Sequence, residues 1–249
     1  MRFNTCFLGL LAVSSAAAMG LCGTAKPSDE QRRVARDIET RSSGRSLENR
    51  AGIELEVLSN AYNPHKINCN LKGADLIVQP SWSTNCLQFV SNKYFRKGTY
   101  ADLNVYFFPR LGCIEGRTVP PNEVVWGYST FPSYWIASNT NVADKGIILR
   151  SDSVPGSNSD MNMGMTLVHE VGHWFGLLHT FEGGREGKGF GVDTPSIDAF
   201  HVQDGDGVDD TPPEDDRTVM YSFGCARKRD SCPGSGLDPV ENYMDYSAE

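Results

Sequence analysis

Basic charge is scarce in this sequence: 23 lysines and arginines stand against 31 acidic residues, for a formal net charge of −8. That excludes nucleic acid as the main partner, because phosphate contacts need clustered Lys and Arg. A surplus of carboxylates suits cations instead. Long apolar runs are lacking too. The run at residues 6–13 falls far short of the roughly 20 apolar residues that a spanning helix needs, and no other stretch could cross a bilayer. No Asn-x-Ser/Thr triplet occurs, so N-glycosylation is not expected. No internal repeat is present. Histidine is rare, with five in 249 residues, so the position of each one carries information.

What is present begins with a leader. Arg2, the apolar residues 6–13 and the small residues 14–20 read as a secretory signal, with cleavage after Ala18 in Ala16-Ala17-Ala18. Secretion places the rest of the chain in an oxidising compartment, where disulfides form. Of the seven cysteines, Cys6 leaves with the signal; the pairing of the others is not fixed by their spacing.

Residues 19–52 are polar and punctuated by Gly and Ser, with a short helix expected over 28–41 and a linker over 41–52. We assign 1–18 as signal peptide, 19–52 as propeptide and linker, and 53–249 as one catalytic domain. From Ile53 the pattern predicts a helix ending before Pro64, strands at 67–71 and 74–78, and a helix at 87–95. Strands follow at 103–108, 124–131 and 147–149, then a helix over 161–175. Interleaved helices and strands give an α/β fold class. Residues 183–216 are rich in Gly and Asp and read as a long loop.

Three of the five histidines fall in His169-Glu170-Val171-Gly172-His173-Trp174-Phe175-Gly176-Leu177-Leu178-His179. On a helix, His169 and His173 lie one turn apart on one face, where two imidazoles can grip one zinc ion. Glu170 can sit beside the metal and take a proton from a water held there. Gly176 can adopt a left-handed conformation, so the chain turns and His179 returns as third ligand. Three nitrogen ligands leave the fourth position open, as catalysis requires. A bare HExxH arises by chance in roughly one chain per hundred of this length; the added Gly and His lower that to roughly one in a hundred thousand.

With these residues in place, the sequence resembles the metzincins, and within them the pappalysin family, in particular secreted fungal-type extracellular metalloproteases. Asn242-Tyr243-Met244-Asp245-Tyr246 resembles the family's Met-turn, and residues 97–104, 127–132 and 237–239 resemble its other segments. The resemblance implies a metzincin-like fold: a mixed twisted sheet, an active-site helix and a Met-turn. It implies a secreted zinc endopeptidase acting on proteins or peptides as a monomer, away from membranes and nucleic acid. Met244 would form the floor beneath the metal and Tyr246 would hold the oxyanion. Gly127, Tyr128, Ser129 and Thr130 would form the edge strand that receives an extended substrate. Asp206 and the Thr211 carbonyl would bind calcium, although a solvated acidic loop reads equally well from residues 204–210. Cys22 would occupy the open zinc position in a latent proform.

The chain also departs from the family. No strand-like run precedes Ile53 within residues 31–52, and the chain stops just after the Met-turn, where a cysteine and a closing helix are expected. Arg185 stands near the place of an expected cysteine, and residues 186–203 look inserted, so Cys225 and Cys232 would lack their usual partners. The alternative reading is therefore a degenerate, secreted peptidase-like protein that binds without cutting, or a mis-spliced fragment.

Overall fold

A computed structural model describes residues 6–10, 47–76, 93–114, 117–132, 145–157, 159, 161–182, 205–215, 227–232 and 236–246. The chain divides into two compact units, residues 1–20 with 29–175, and residues 21–28 with 176–249.

The first unit carries all the regular structure among the described residues. Its elements are β1 (Cys6–Leu10), α1 (Leu47–Tyr62), β2 (Leu103–Phe108), β3 (Cys113–Ile114), β4 (Arg117–Thr118), β5 (Gly127–Ser129), β6 (Ile147–Arg150) and α2 (Met165–Trp174). Four strands form one sheet in the order β1-β2-β6-β5. β1, β2 and β6 are parallel, and β5 runs antiparallel to β6 with Gly127 opposite Leu149 and Ser129 opposite Ile147. β3 and β4 pair as a separate small hairpin, which the periodicity does not announce.

Every residue of β2 is buried, as expected of an inner strand covered on both faces. Its one polar residue, Asn104, is fully used. Its amide donates to the Lys97 and Asp102 carbonyls, and its oxygen accepts from the Lys97 N–H. Phe107, Ile147 and Leu149 belong to the same core, as do Leu167, Val168 and Val171 of α2. The end of α1 is tied to α2 by Tyr62, whose hydroxyl donates to the Val168 carbonyl at 2.9 Å and whose ring meets Phe175 edge-on.

The expected elements are mostly where the pattern puts them, with altered ends. The strand at 103–108 matches. The 147–149 strand gains Arg150, and 124–131 shortens to Gly127–Ser129. The first helix begins at Leu47 rather than Ile53, because Leu47, Glu48, Arg50 and Ala51 favour helix and Ala51 is buried. The expected strands at 67–71 and 74–78 reduce to single bridges at Leu71 and Leu76 within the described residues. Only residues 93–95 of the helix expected at 87–95 are described, and they are helical. The helix expected over 28–41 lies outside the described residues. Residues 6–10, read from sequence as part of a leader, pair with β2 at the sheet's edge. They stand before α1, where the sequence offered no other strand.

One residue of α1 conflicts with its surroundings. Ala51, Glu54, Val57 and Leu58 share the buried face, and helical spacing carries the Glu54 carboxyl in with its apolar neighbours. Neither Glu54 oxygen has a hydrogen-bond partner among the described residues. Burial raises its pKa well above the ordinary 4.5. A carboxyl whose folded pKa exceeds its unfolded value stabilises the fold fully below the unfolded pKa; that contribution is lost as pH rises through the folded pKa. Glu54→Gln keeps the shape and removes the titration. Urea denaturation should therefore show the variant equal to wild type near pH 4.5. Near pH 8 it should be more stable by about 1–3 kcal/mol.

Candidate metal centre

The active-site helix starts at Gly164, whose φ of 76° is a left-handed conformation that suits glycine. This is why the helix begins four residues later than its apolar pattern suggests. From Thr166 to Trp174 every residue is buried. His169 and His173 project from one face, their rings at 89° to each other and their Nε2 atoms 3.0 Å apart. The ring of Phe131 packs on His173 with centroids 5.0 Å apart. Past Phe175 the chain turns at Gly176, whose φ of 96° is the left-handed break expected there.

Glu170 lies between the two histidines in sequence and is 5 % exposed. Its Oε2 has no partner among the described residues. Burial pushes its pKa up to about 8. A buried, partnerless carboxylate oxygen is unfavourable unless something polar is meant to meet it. Gly127 is where β5 passes closest: a Cβ there would lie 2.5 Å from Glu170 Oε1 and 2.8 Å from Leu149 Cδ2. Only a residue without a side chain fits. β5 is bonded to β6 and to no other strand among the described residues, so it is the last strand of the sheet there. Thr130, just past β5, continues the pairing through its N–H to the Gly146 carbonyl at 3.2 Å.

In the second unit, the His179 ring stacks on Phe181 at 4.7 Å and 8°, and meets Tyr246 edge-on at 4.7 Å. Its Nδ1 lies 2.9 Å from Glu182 Oε2. A proton on Nδ1 facing that carboxylate leaves Nε2 unprotonated and able to ligate, the usual way an acid fixes a histidine tautomer. The Met244 carbonyl accepts from the Thr180 N–H at 3.3 Å, so the Met-turn is laced to the segment carrying His179. Met244 itself is buried. Asp206 is half-buried in a turn closed on itself: its Oδ1 accepts from the Val208 N–H, and the Thr211 N–H donates to the Val208 carbonyl. Burial raises the Asp206 pKa, opposed by hydrogen bonds to its carboxyl from the Val208 N–H and the Thr211 side chain. Cys22 and its latency role lie outside the described residues.

The residues present fit zinc. Two ligands at about 2.05 Å in tetrahedral geometry place their nitrogens about 3.3 Å apart. His169 and His173 nearly meet that spacing already. Neutral imidazoles are suitable donors, and the unsatisfied Glu170 oxygen is a waiting acceptor. Pattern reading missed Glu182, Phe181 and the buried ion cluster around Arg229. Only Glu182 carried a signal, a carboxylate three residues after a ligand histidine.

Gly127→Ala should displace Glu170 while leaving the histidines in place. Peptidase turnover should fall about 10–100-fold, since misplacing a catalytic group by about 1 Å can cost that much. Bound metal, measured by elemental analysis, should stay at the wild-type level.

The model of the peptidase M43 family, described as pregnancy-associated plasma protein-A, matches residues 137–249. The chain is 34% identical to an extracellular metalloprotease of Colletotrichum graminicola, over 99% of this chain and 90% of that protein. It is 38% identical to extracellular metalloprotease 1 of Coccidioides posadasii, over 79% of this chain and 60% of that protein. With an extracellular metalloprotease of Pyricularia oryzae it shares 41% identity, over 78% and 58%. It thus spans nine-tenths of one relative and about three-fifths of the other two. Its fold is similar to mature mirolysin of Tannerella forsythia, solved with a cleaved peptide, at a TM-score of 0.55 and 20% identity over 100% of this chain and 85% of that one. The chain belongs to the M43 family of metallopeptidases.

Proposed function

We propose that this chain is a secreted, zinc-dependent endopeptidase that hydrolyses internal bonds of proteins or peptides and works as a monomer. The observation that carries the reading is the convergence of two Nε2 atoms at 3.0 Å on a buried helix face, with Glu170, whose Oε2 has no partner among the described residues, between them in sequence. His169 and His173 would hold zinc, with His179 as third ligand. Zinc held there supplies a Lewis acid that polarises the scissile carbonyl and acidifies a water. Glu170 takes the proton from the attacking water and returns it to the leaving amine. Its raised pKa, about 8 before any cation is near, suits that exchange. A cation beside it would lower that value and keep it a base at neutral pH.

Substrate recognition follows from β5. An extended peptide would pair with the main chain of the edge segment containing Gly127, Tyr128, Ser129 and Thr130. Gly127 lets that peptide lie close to Glu170. Tyr246 would donate to the oxyanion of the tetrahedral intermediate.

Secretion agrees with the extracellular naming of the relatives. The signal peptide at 1–18, the propeptide and linker at 19–52 and the catalytic domain at 53–249 belong to the same reading, as do disulfides among the cysteines. Calcium at Asp206 and the Thr211 carbonyl, and latency through Cys22, complete it.

The test is turnover of a peptide library and denatured proteins by the purified chain with zinc and calcium supplied. Glu170→Gln should lower kcat by about 10²–10⁴-fold, the usual share of a general base. It should leave bound zinc unchanged. A wild-type chain that loads zinc yet cleaves nothing would instead support a peptidase-like binding protein.

A further inference from the structure

The second unit contains no helix or strand among its described residues, yet it carries His179, Met244 and Tyr246. Without a hydrogen-bonded backbone ladder, something else must hold these segments in place. A buried ion cluster does so. Arg229 is enclosed by the carboxylates of Glu214, Asp238 and Asp245, each with a fully buried side chain. Its Nε donates to Asp238 Oδ2 at 2.6 Å, and its Nη2 donates to Glu214 Oε1 at 3.0 Å and Asp245 Oδ2 at 3.1 Å.

The second oxygen of each carboxylate goes elsewhere. Glu214 Oε2 accepts from the Thr180 hydroxyl at 2.8 Å, next to His179 in the chain. Asp245 Oδ1 accepts from the Tyr246 N–H at 2.7 Å. Asp238 Oδ1 accepts from the Ser231 N–H and hydroxyl at 2.9 and 3.0 Å. One oxygen of every acid thus faces Arg229 and the other holds a stretch of chain, remote for Glu214 and Asp238 and the adjoining residue for Asp245. Two of those stretches carry His179 and Tyr246, whose rings meet edge-on at 4.7 Å.

Three acids around one guanidinium are a costly way to fill a core. Apolar groups of the same volume are often as stable or more so. What apolar packing lacks is direction, and each carboxylate here fixes one donor at a defined angle. Burial, reinforced by the neighbouring Asp245 charge, holds the Glu214 carboxyl well above the usual carboxylate range.

We propose that Arg229, Glu214 and Asp245 form the positioning device that fixes His179 against Tyr246, with Thr180 as the link to the histidine. The inference rests on the proposed zinc peptidase for its consequence, though the geometry stands without it. The consequence is that cutting the Thr180 link leaves the third ligand loosely held.

The test compares Thr180→Val, which keeps the shape and loses the hydroxyl, with Thr180→Ser, which restores it. Ser231→Ala serves as control: it removes one donor to Asp238 and the acceptor of the Asp215 N–H, keeps the Ser231 N–H to Asp238, and touches neither Thr180 nor Tyr246. Two readouts are taken on the full chain: zinc release into excess chelator, and nuclear Overhauser contacts between the His179 and Tyr246 rings in the metal-free state. Thr180→Val should release zinc about 10-fold faster and lose the ring contacts, in the range known for loss of a ligand's outer partner. Thr180→Ser and Ser231→Ala should stay within about twofold of wild type, well under that range. Retained ring contacts in Thr180→Val overturn the proposal. So does equal acceleration by Thr180→Val and Ser231→Ala, which would mean general loosening. If wild type binds no zinc, the peptidase reading fails, and the ring contacts alone decide the positioning role.

Discussion

Burial of α2 on nearly all sides is the constraint on which the rest depends. A helix with an exposed face would let His169, Glu170 and His173 turn into water and satisfy themselves there. Here Leu167, Val168 and Val171 lock the helix into the core, so these three side chains have no solvent to retreat to. The fold must then give them a use. The sheet order follows the same demand. Among the described strands β5 lies on the outer side of β6, with its glycine against Glu170. The buried carboxyl is thereby placed where the proposed reaction needs a base.

The two units are held by different physics. Residues before Phe175 cohere through apolar burial and a strand ladder, with Phe107, Ile147 and Leu149 at the centre. Residues after it cohere through directed polar contacts around Arg229, and through stacked rings at His179, Phe181 and Tyr246. Apolar cores tolerate small shifts, whereas a hydrogen-bonded cluster is lost or kept as a set. Position in the second unit should thus depend on a few side chains, and position in the first on many.

Legibility in the sequence followed the same division. The inner strands and the zinc helix were readable because their apolar residues recur at fixed periods, and because His-x-x-x-His is a local pattern. Gly176 was readable because a helix break needs a residue tolerant of positive φ. The start of α2 at Gly164 was missed, since the apolar pattern runs through it. The beginning of α1 was missed because residues 47–52 are polar enough to read as linker, although they favour helix. Residues 6–10 read as leader and stand as β1 in the sheet, since a short apolar run serves either purpose. The Arg229 cluster was illegible, since its members are spread over 32 positions from Glu214 to Asp245 and share no period. Asp238 and Asp245 lay inside segments already singled out, but nothing local shows that their carboxylates meet one guanidinium.

The central claim is that one metal ion sits on the histidines of α2. Its most direct measure is zinc per chain by elemental analysis, for wild type and for the His169→Ala/His173→Ala double variant, after dialysis against trace zinc. One equivalent in wild type and none in the double variant is the predicted result. Equal metal content in the two proteins would contradict the account.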